Sequence, residues 1–452
     1  MTMNSSDYLL QSSREYAIYV LSHRAIPNVQ DGLKHGQRIA LWLLRSRAEK
    51  LKTFALSGLM GYERLYVHGE VSANDAIGKL AAPYNNNVPL IEGLGQFGNR
   101  VAPIDGIGAP RYTEVRRAKA AEAILYRDLD LVPLKDNYDG SNKEPVHFLP
   151  LLPIVLLNGI AGIAVGWSTS ILPRSLKGLI EATQDALNDE KTLRGMEPFY
   201  ERFTVKVKNT GPNQWEFSGR AEIEDTSTVK ITELPPGVKV ENFRKKLIEM
   251  EDNDQIISYT DRSKDKIDIT IKFKRGTLKG WREQEVLDFF GLKDKVTERI
   301  VVIDWNGAAV RPYENPEQVV RDFAVWRLGW YTERYKKMVA DTSYDLTYWQ
   351  ALKALFDAGF TKKLGTFPNR SALEEEVTAI TTKAKIALDD AQLDRVVSVP
   401  TYRWTKDFEK EVIAKITTLE ASITDYQSTL KSPAKLKAVY MGELEELKKL
   451  RY

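Results

Sequence analysis

Apolar positions change their period along the chain, and the changes divide it. In residues 7–24, Leu9, Leu10, Tyr16, Ala17, Val20 and Leu21 recur at helical spacing and predict a helix. Pro27 and the Asp31-Gly32 pair break it, and 33–51 resumes a helical pattern. A further helix is predicted over 71–80, then a polar loop rich in Pro and Gly through Pro110, then helix again over 112–130. Beyond Pro145 the period shortens to two. Phe203, Val205 and Val207, and later Ile267, Ile269 and Ile271, alternate with polar residues as strands do, with helices over 176–187 and 240–250 between them. From Glu317 the chain is helical. One stripe is Leu328, Tyr331, Tyr335 and Met338, resuming after a slip at Leu346, Trp349, Leu352 and Phe356. A second is Val412, Ile416, Leu419, Ile423, Tyr426 and Leu430. The segment between them, 359–400, is punctuated by Gly and Pro. Two such seams predict an antiparallel coiled-coil hairpin with a small globular tip, the alternative being an ordinary helical-bundle core. The expected fold class is multidomain α+β, divided at 1–142, 143–316 and 317–452.

Composition narrows the setting. A chain of 452 residues exceeds one ordinary core and fits two to four domains. Its most apolar stretch, 148–163, is interrupted by Pro150, Pro153, Asn158, Gly159 and Gly162, so a continuous membrane span is not expected. The opening residues lack a basic region and an apolar core, so no secretory signal is visible. The absence of cysteine excludes disulfides, thiolate catalysis and zinc fingers, and fits a reducing cytoplasm. Net charge is +3, yet residues 21–130 alone hold 15 Lys/Arg against 11 Asp/Glu, which is compatible with either a mixed solvated surface or a phosphate-facing patch.

Several motifs lead nowhere. Residues 93–98 fit GxGxxG, but 99–110, rich in Gly and Pro, follow where a dinucleotide site needs a helix. Asp128 and Asp130 read as a solvated helix end rather than a metal pair, and no GxxxxGK[ST] loop for ATP phosphates exists. His23 and His147 lack a local partner pattern and read as structural or surface residues. His35 and Arg38 fit HxxR, a spacing that tyrosine recombinases use beside a nucleophilic tyrosine. Arg111-Tyr112-Thr113-Glu114 places a tyrosine at the start of a basic helix carrying Arg116, Arg117 and Lys119.

Six ordered motifs give that tyrosine a context: Arg24-Ala25-Ile26-Pro27 with Asp31-Gly32-Leu33-Lys34 and Gln37-Arg38; His68-Gly69-Glu70; the glycine loop 93–98; Arg111-Tyr112-Thr113-Glu114; Asp136-Asn137-Tyr138-Asp139-Gly140; and the run from Asn158 to Gly166. Together they resemble the A subunits of DNA gyrase and topoisomerase IV, the cleavage and rejoining subunits of type IIA topoisomerases, over essentially the whole chain. Its short form is most similar to the medium subunits of T-even-like phage enzymes. The resemblance implies a winged-helix domain (1–142), an α/β tower (143–316) and a coiled coil with a small helical C-gate (317–452). It implies Tyr112 as the nucleophile that joins the DNA 5′-phosphate, with Arg111, Arg24 and His68 around the scissile phosphate. It also implies DNA contacts by Lys34, Arg38 and Arg116, and Ile163 as an apolar wedge between base steps.

The chemistry asks for such groups. An ordinary phenol is ionised in about one molecule per thousand at neutral pH. Attack on a phosphodiester therefore needs the phenolate stabilised and the phosphate's developing charge neutralised. A guanidinium stays charged and grips phosphate oxygens in a fork. Exchanging one phosphoester for another retains the bond energy for resealing.

The chain departs from the family pattern at Tyr66, where a second histidine often stands, and at His35, which replaces the proline after DGLK. Ile39 stands where gyrase A subunits carry a second arginine. No ATPase module and no magnesium-binding Toprim carboxylates are recognisable, so Mg²⁺ and ATP are expected on partner subunits in a hetero-oligomer built on a twofold homodimer. With no room seen for a DNA-wrapping domain, relaxation or decatenation is expected rather than supercoiling. Two other readings stay open at this point, a recombinase-like strand transferase and a non-catalytic DNA-bending scaffold.

Overall fold

The structure, a computed structural model, describes residues 5–451. The stretch searched for a secretory signal begins outside them, and the Leu9 and Leu10 side chains also lie outside what is described. The chain forms two compact units, one ending at Arg327 and taking in the stretch from Met441, the other Leu328–Tyr440.

In the first unit, α1 (Ser5–Val20) runs into a π-helical turn, Leu21–Ala25, closed by Ile26 N donating to the Leu21 carbonyl at 3.1 Å. Pro27 sets the ending: a residue before proline avoids helical angles, and Ile26 is extended at φ −104°, ψ 132°. α2 (His35–Leu44) stops well short of the predicted residue 51, because Leu51–Lys52 is drawn off as strand β1. Then come α3 (Thr53–Tyr62), α4 (Glu70–Ala81), β2 (Ile91–Leu94), β3 (Glu114–Arg117) and α5 (Lys119–Ile124).

The helix predicted over 112–130 is thus largely wrong. Arg111 and Tyr112 form a turn, β3 sits between β1 and β2 in an antiparallel sheet, and helix is confined to α5 and a 3₁₀ turn at Leu129–Leu131. Thr113 and Val115 are buried while Arg116 is exposed, the period of a strand whose edges are both paired. The Asp128-Leu129-Asp130 reading changes too, since Asp128 is buried and ion-paired with buried Arg327.

The apolar stretch 148–163 supplies core and then surface. Phe148, Leu149, Leu151, Leu152, Val155, Leu156 and Leu157 are fully buried around α6 (Ile154–Leu157), reached after the hairpin β4 (Leu134–Asp136) and β5 (Lys143–Pro145). The chain next turns outward in the hairpin β6 (Ile160–Ala164) and β7 (Trp167–Ile171). α7 (Leu176–Leu187) falls where its period predicts, with Ser175 accepting from Gly178 N at 3.0 Å as N-cap.

Next follow β8 (Lys206–Gly211), β9 (Gln214–Ser218), β10 (Arg220–Ile223), β11 (Thr228–Glu233), α8 (Val240–Asp252), β12 (Ser258–Asp261), β13 (Ile269–Lys272), α9 (Glu283–Phe290), β14 (Lys293–Thr297), β15 (Ile300–Ile303) and β16 (Val310–Tyr313). They build sheets ordered β10-β11-β13-β12, β14-β9-β8 and β15-β16. The first sheet shares a core with α8 and α9 through Val229, Ile231, Ile269, Ile271, Leu247 and Phe290. β8 and β13 start later than the alternating runs at 203 and 266 predict.

The second unit is helical. α10 (Pro316–Asp357), α11 (Arg370–Lys383), α12 (Asp390–Val397), α13 (Lys406–Leu430) and α14 (Pro433–Leu447) make up most of it, the first and last of them continuing into the other unit. Ring contacts Tyr331–Tyr440, Tyr335–Tyr426 and Trp349–Phe408 pair rising positions on α10 with falling ones on α14 and α13, so α10 and α13 run antiparallel. Leu352, Leu355, Phe360, Val377, Val396, Phe408 and Val412 form a separate core where the helices end. The protein is a mixed α/β chain of many helices and small sheets.

Candidate active site and DNA interface

Tyr112 is held on a turn anchored on both sides. Its N–H donates to the Ala109 carbonyl at 2.9 Å, and Phe54 N donates to the Pro110 carbonyl at 3.4 Å. On the other side Thr113 bonds Thr53 twice, through the hydroxyls at 2.7 Å and from Thr53 N to the Thr113 carbonyl at 3.0 Å. Lys50 and Lys52 grip Glu114 at 2.9 and 3.2 Å. The anchors fix the backbone while the phenol ring stands 72% exposed, with the Arg111 guanidinium 5.0 Å from its centroid. The glycine loop backs this turn: Gly108 N donates to the Gln96 carbonyl at 2.8 Å, and space at Gly95 abuts Tyr112 and Thr113. Arg111 and Pro110 also line a shallow cavity of about 440 Å³ with Phe54, Glu70, Val71 and Asn74, so two of the motifs meet there.

His68 and Arg24 belong to a second cluster that no local pattern announces. Five rings form a closed circuit, with centroid separations of 4.8 Å (Tyr19–His23), 5.7 Å (His23–His35), 6.1 Å (His35–Tyr66), 5.2 Å (Tyr66–His68) and 5.8 Å (His68–Tyr19). The Tyr19 hydroxyl and His68 Nε2 lie 2.9 Å apart. The two departures from the family pattern, His35 and Tyr66, therefore stack on each other. His23, which the sequence alone presents as a structural or surface residue, stands beside them. His35 Nε2 reaches Glu144 at 3.2 Å, and Lys135 reaches the same carboxylate at 3.1 Å. The hairpin β4–β5 also ties this region down through Asn137, which donates to the Arg64 carbonyl at 2.9 Å.

Burial lowers the pKa of His23, with His35 and Lys135 adding to it, and lowers that of His68, with Arg24 and His35 adding. Burial does the same to His147, whose ring lies against Trp326. A base with a depressed folded-state pKa lets the unfolded chain take up protons first, so stability falls as pH drops through about 6.5 and levels off below the folded values. Burial raises the Glu144 carboxyl, but His35 and Lys135 outweigh it and hold the group below its ordinary value. Its contribution is lost only at more acid pH. The thermal midpoint is thus expected to fall between about pH 7.5 and 5.5, before carboxylates titrate. A flat midpoint across that interval contradicts the assignment of these imidazoles as shielded from solvent and neutral.

The hairpin β6–β7 is docked on the first motif. Lys34 Nζ donates to the Ala161 carbonyl at 2.8 Å, and a Cβ at Gly162 would lie 2.0 Å from the Ala25 carbonyl, so only glycine permits this approach. Burial lowers the Lys34 ammonium, with Lys79 adding and Asp75 opposing. Its nitrogen fixes the strand that carries the wedge candidate. Past that dock the tip is apolar and open: Ile163 is 87% exposed, with Val165 and Trp167 also exposed.

Arg38 does not face outward. It is buried and forks onto Asp31 at 2.6 and 2.9 Å, with the Leu33 carbonyl at 3.0 Å. Asp31 also accepts from Leu33 N and Phe148 N, so the Asp-to-Arg spacing of this motif builds a buried brace. The adjoining Gly32, at φ +66°, sits against the backbone of Val155. With His35 on Glu144 and Arg38 on Asp31, the HxxR pair offers no phosphate cradle. Arg116 is exposed on β3 and bonds Glu92 at 2.5 Å. Among the described residues, no three His, Cys, Asp or Glu side chains gather to hold a metal ion, and no helix is long and apolar enough to cross a membrane.

The chain thus presents an anchored, exposed tyrosine beside a guanidinium and, separately, a docked hairpin with an exposed apolar tip. The family of DNA gyrase and topoisomerase IV A subunits matches residues 24–445, and the chain belongs to it: it is a DNA cleavage and rejoining subunit of type II topoisomerases. It is similar to the DNA topoisomerase medium subunit of Enterobacteria phage T4, 29% identical over 445 residues and 96% of each chain. It is also similar to human DNA topoisomerase 2-alpha, 30% identical over 69% of this chain but spanning only 21% of that enzyme. A solved structure of the DNA-binding, cleavage and re-ligation domain of Plasmodium falciparum topoisomerase II matches 98% of this chain and 64% of that one, with a TM-score of 0.84 at 23% identity, and shows the shared fold.

Proposed function

We propose that the Tyr112 oxygen attacks a DNA phosphorus, forming a 5′-phosphotyrosine link and releasing the deoxyribose 3′-oxygen, and that the reverse attack reseals the strand. The observation that carries this reading is the turn itself: a ring left open on a backbone pinned through Thr53, Lys50 and Lys52. Arg111 lies beside the ring and serves the phosphate's developing charge, with Arg24 and His68 supplying further groups around it. Ile163 enters a base step from the hairpin tip. Lys34 and Arg116 lie toward the backbone of the duplex, each with a protein partner that limits its share, and Arg38 acts as the internal brace of the first motif.

Two such tyrosines in a homodimer cut both strands and let a second duplex pass, giving relaxation or decatenation. In this reading residues 1–142 are the winged-helix domain, 143–316 the tower, and 317–452 the coiled coil and C-gate. Mg²⁺ and ATP belong to ATPase/Toprim partner subunits, and the assembly works in the cytoplasm, that of a bacterial host if the chain is phage-encoded.

End polarity tests the chemistry. Adducts trapped by denaturing the reconstituted complex should resist a 5′-exonuclease and remain open to a 3′-exonuclease. The opposite pattern is that of a recombinase-type 3′ link and would refute the proposal.

A further inference from the structure

The family match begins at residue 24, yet the ring circuit draws two of its five members, Tyr19 and His23, from the chain before it. Tyr19 stacks on His23 at an interplanar angle of 17° and places its hydroxyl 2.9 Å from His68 Nε2. Tyr66 contacts the same imidazole edge-on, while its own hydroxyl is spent on Ser72 at 2.9 Å. Of the two tyrosines touching His68, Tyr19 is therefore the one whose oxygen meets the ring nitrogen.

A neutral imidazole has one donor and one acceptor nitrogen, and which is which follows from the partner at either one. We propose that Tyr19 is a positioning residue for His68, its hydroxyl fixing the orientation and tautomer of the imidazole that works at the scissile phosphate. This rests on the role given to His68 above. The π-helical turn is the device that makes the geometry: α1 carries Tyr19 up to it, and the turn delivers both His23, the stacking partner, and Arg24, the neighbouring cation. Besides His23 and His68, Tyr19 faces Tyr16 on its own helix, Arg24, Tyr66 and Glu144. Besides Tyr19 and Tyr66, His68 faces Arg24 and His35. Burial raises the Tyr19 phenol and lowers the imidazole, so both partners are neutral at about pH 7, the state in which one hydroxyl selects a tautomer.

Tyr19→Phe keeps the ring and its stack and removes the oxygen. In the complex reconstituted with its partner subunits, covalent capture should slow by about three- to tenfold, the range expected for one hydrogen bond, and its pH profile should move. On a His68→Ala background the same substitution should cost less than about twofold, because the group it positions is gone. With four histidines in the sequence, selective ring labelling of the full chain can follow His68 directly, and its titration or tautomer signals should change in Tyr19→Phe. An unchanged His68 signal, or an equal loss on both backgrounds, overturns the proposal. His68→Ala alone separates the two claims. If it costs nothing, the role of His68 at the phosphate fails. If it is impaired while Tyr19→Phe is fully active, only the Tyr19 assignment fails.

Discussion

Tyr112→Phe is expected to abolish covalent capture of DNA by the reconstituted complex, a loss of about 10⁴-fold or more, because no other atom can take the place of the attacking oxygen. Folding should be untouched. The hydroxyl lies on a side chain 72% exposed, and the turn is held by its backbone and by Thr113 and Glu114. The substitution also leaves the Arg111 contact with the ring face in place, so DNA binding should survive. Normal capture with intact folding contradicts the account. Normal DNA binding with lost capture separates a nucleophile from a scaffold residue.

The second large effect is expected at Ile163. Entering a base step costs a few kcal/mol of unstacking, recovered partly by burying the side chain and partly by contacts along the bent duplex. Isoleucine to alanine removes about three buried carbons' worth of transfer free energy, about 2 kcal/mol, which is roughly a thirtyfold shift from bent toward straight DNA. The protein itself should lose almost no stability, since the residue is 87% exposed and the hairpin is docked through Lys34 and Gly162 instead. Energy transfer between dyes at the ends of a short duplex reads the bend. An unchanged bend removes the wedge, and loss of folding shows that Ile163 is packed rather than presented.

What the chain discloses, and what it withholds, follows the range of the interactions involved. α7 is legible because its apolar face and Ser175 cap are local signals. The antiparallel pairing of α10 with α13 is foreshadowed by two apolar stripes on either side of a Gly- and Pro-punctuated segment, and Tyr335 and Tyr426, one from each stripe, meet. The tyrosine turn reads as helix because Arg116, Arg117 and Lys119 favour helix locally, whereas the strand owes its existence to β1 and β2, each far away in sequence. Arg38 illustrates the same limit for a site residue. The resemblance makes it a DNA contact, but Asp31, seven positions earlier, takes its Nε and Nη2. The Asp-to-Arg spacing across the glycine turn is the signal that points to the brace. His23 is only half legible: Tyr19, four positions earlier on the predicted helix, is a local neighbour, but His35 comes from beyond the break at Pro27 and nothing near His23 points to it.

The central claim is that one phenol oxygen becomes esterified to DNA. Complexes trapped during cleavage can be digested with nuclease and protease, and the peptide carrying residual nucleotide identified by mass. The account predicts a single modified peptide with the nucleotide on Tyr112; a nucleotide on any other side chain, or trapped complexes with no covalent nucleotide at all, contradicts it.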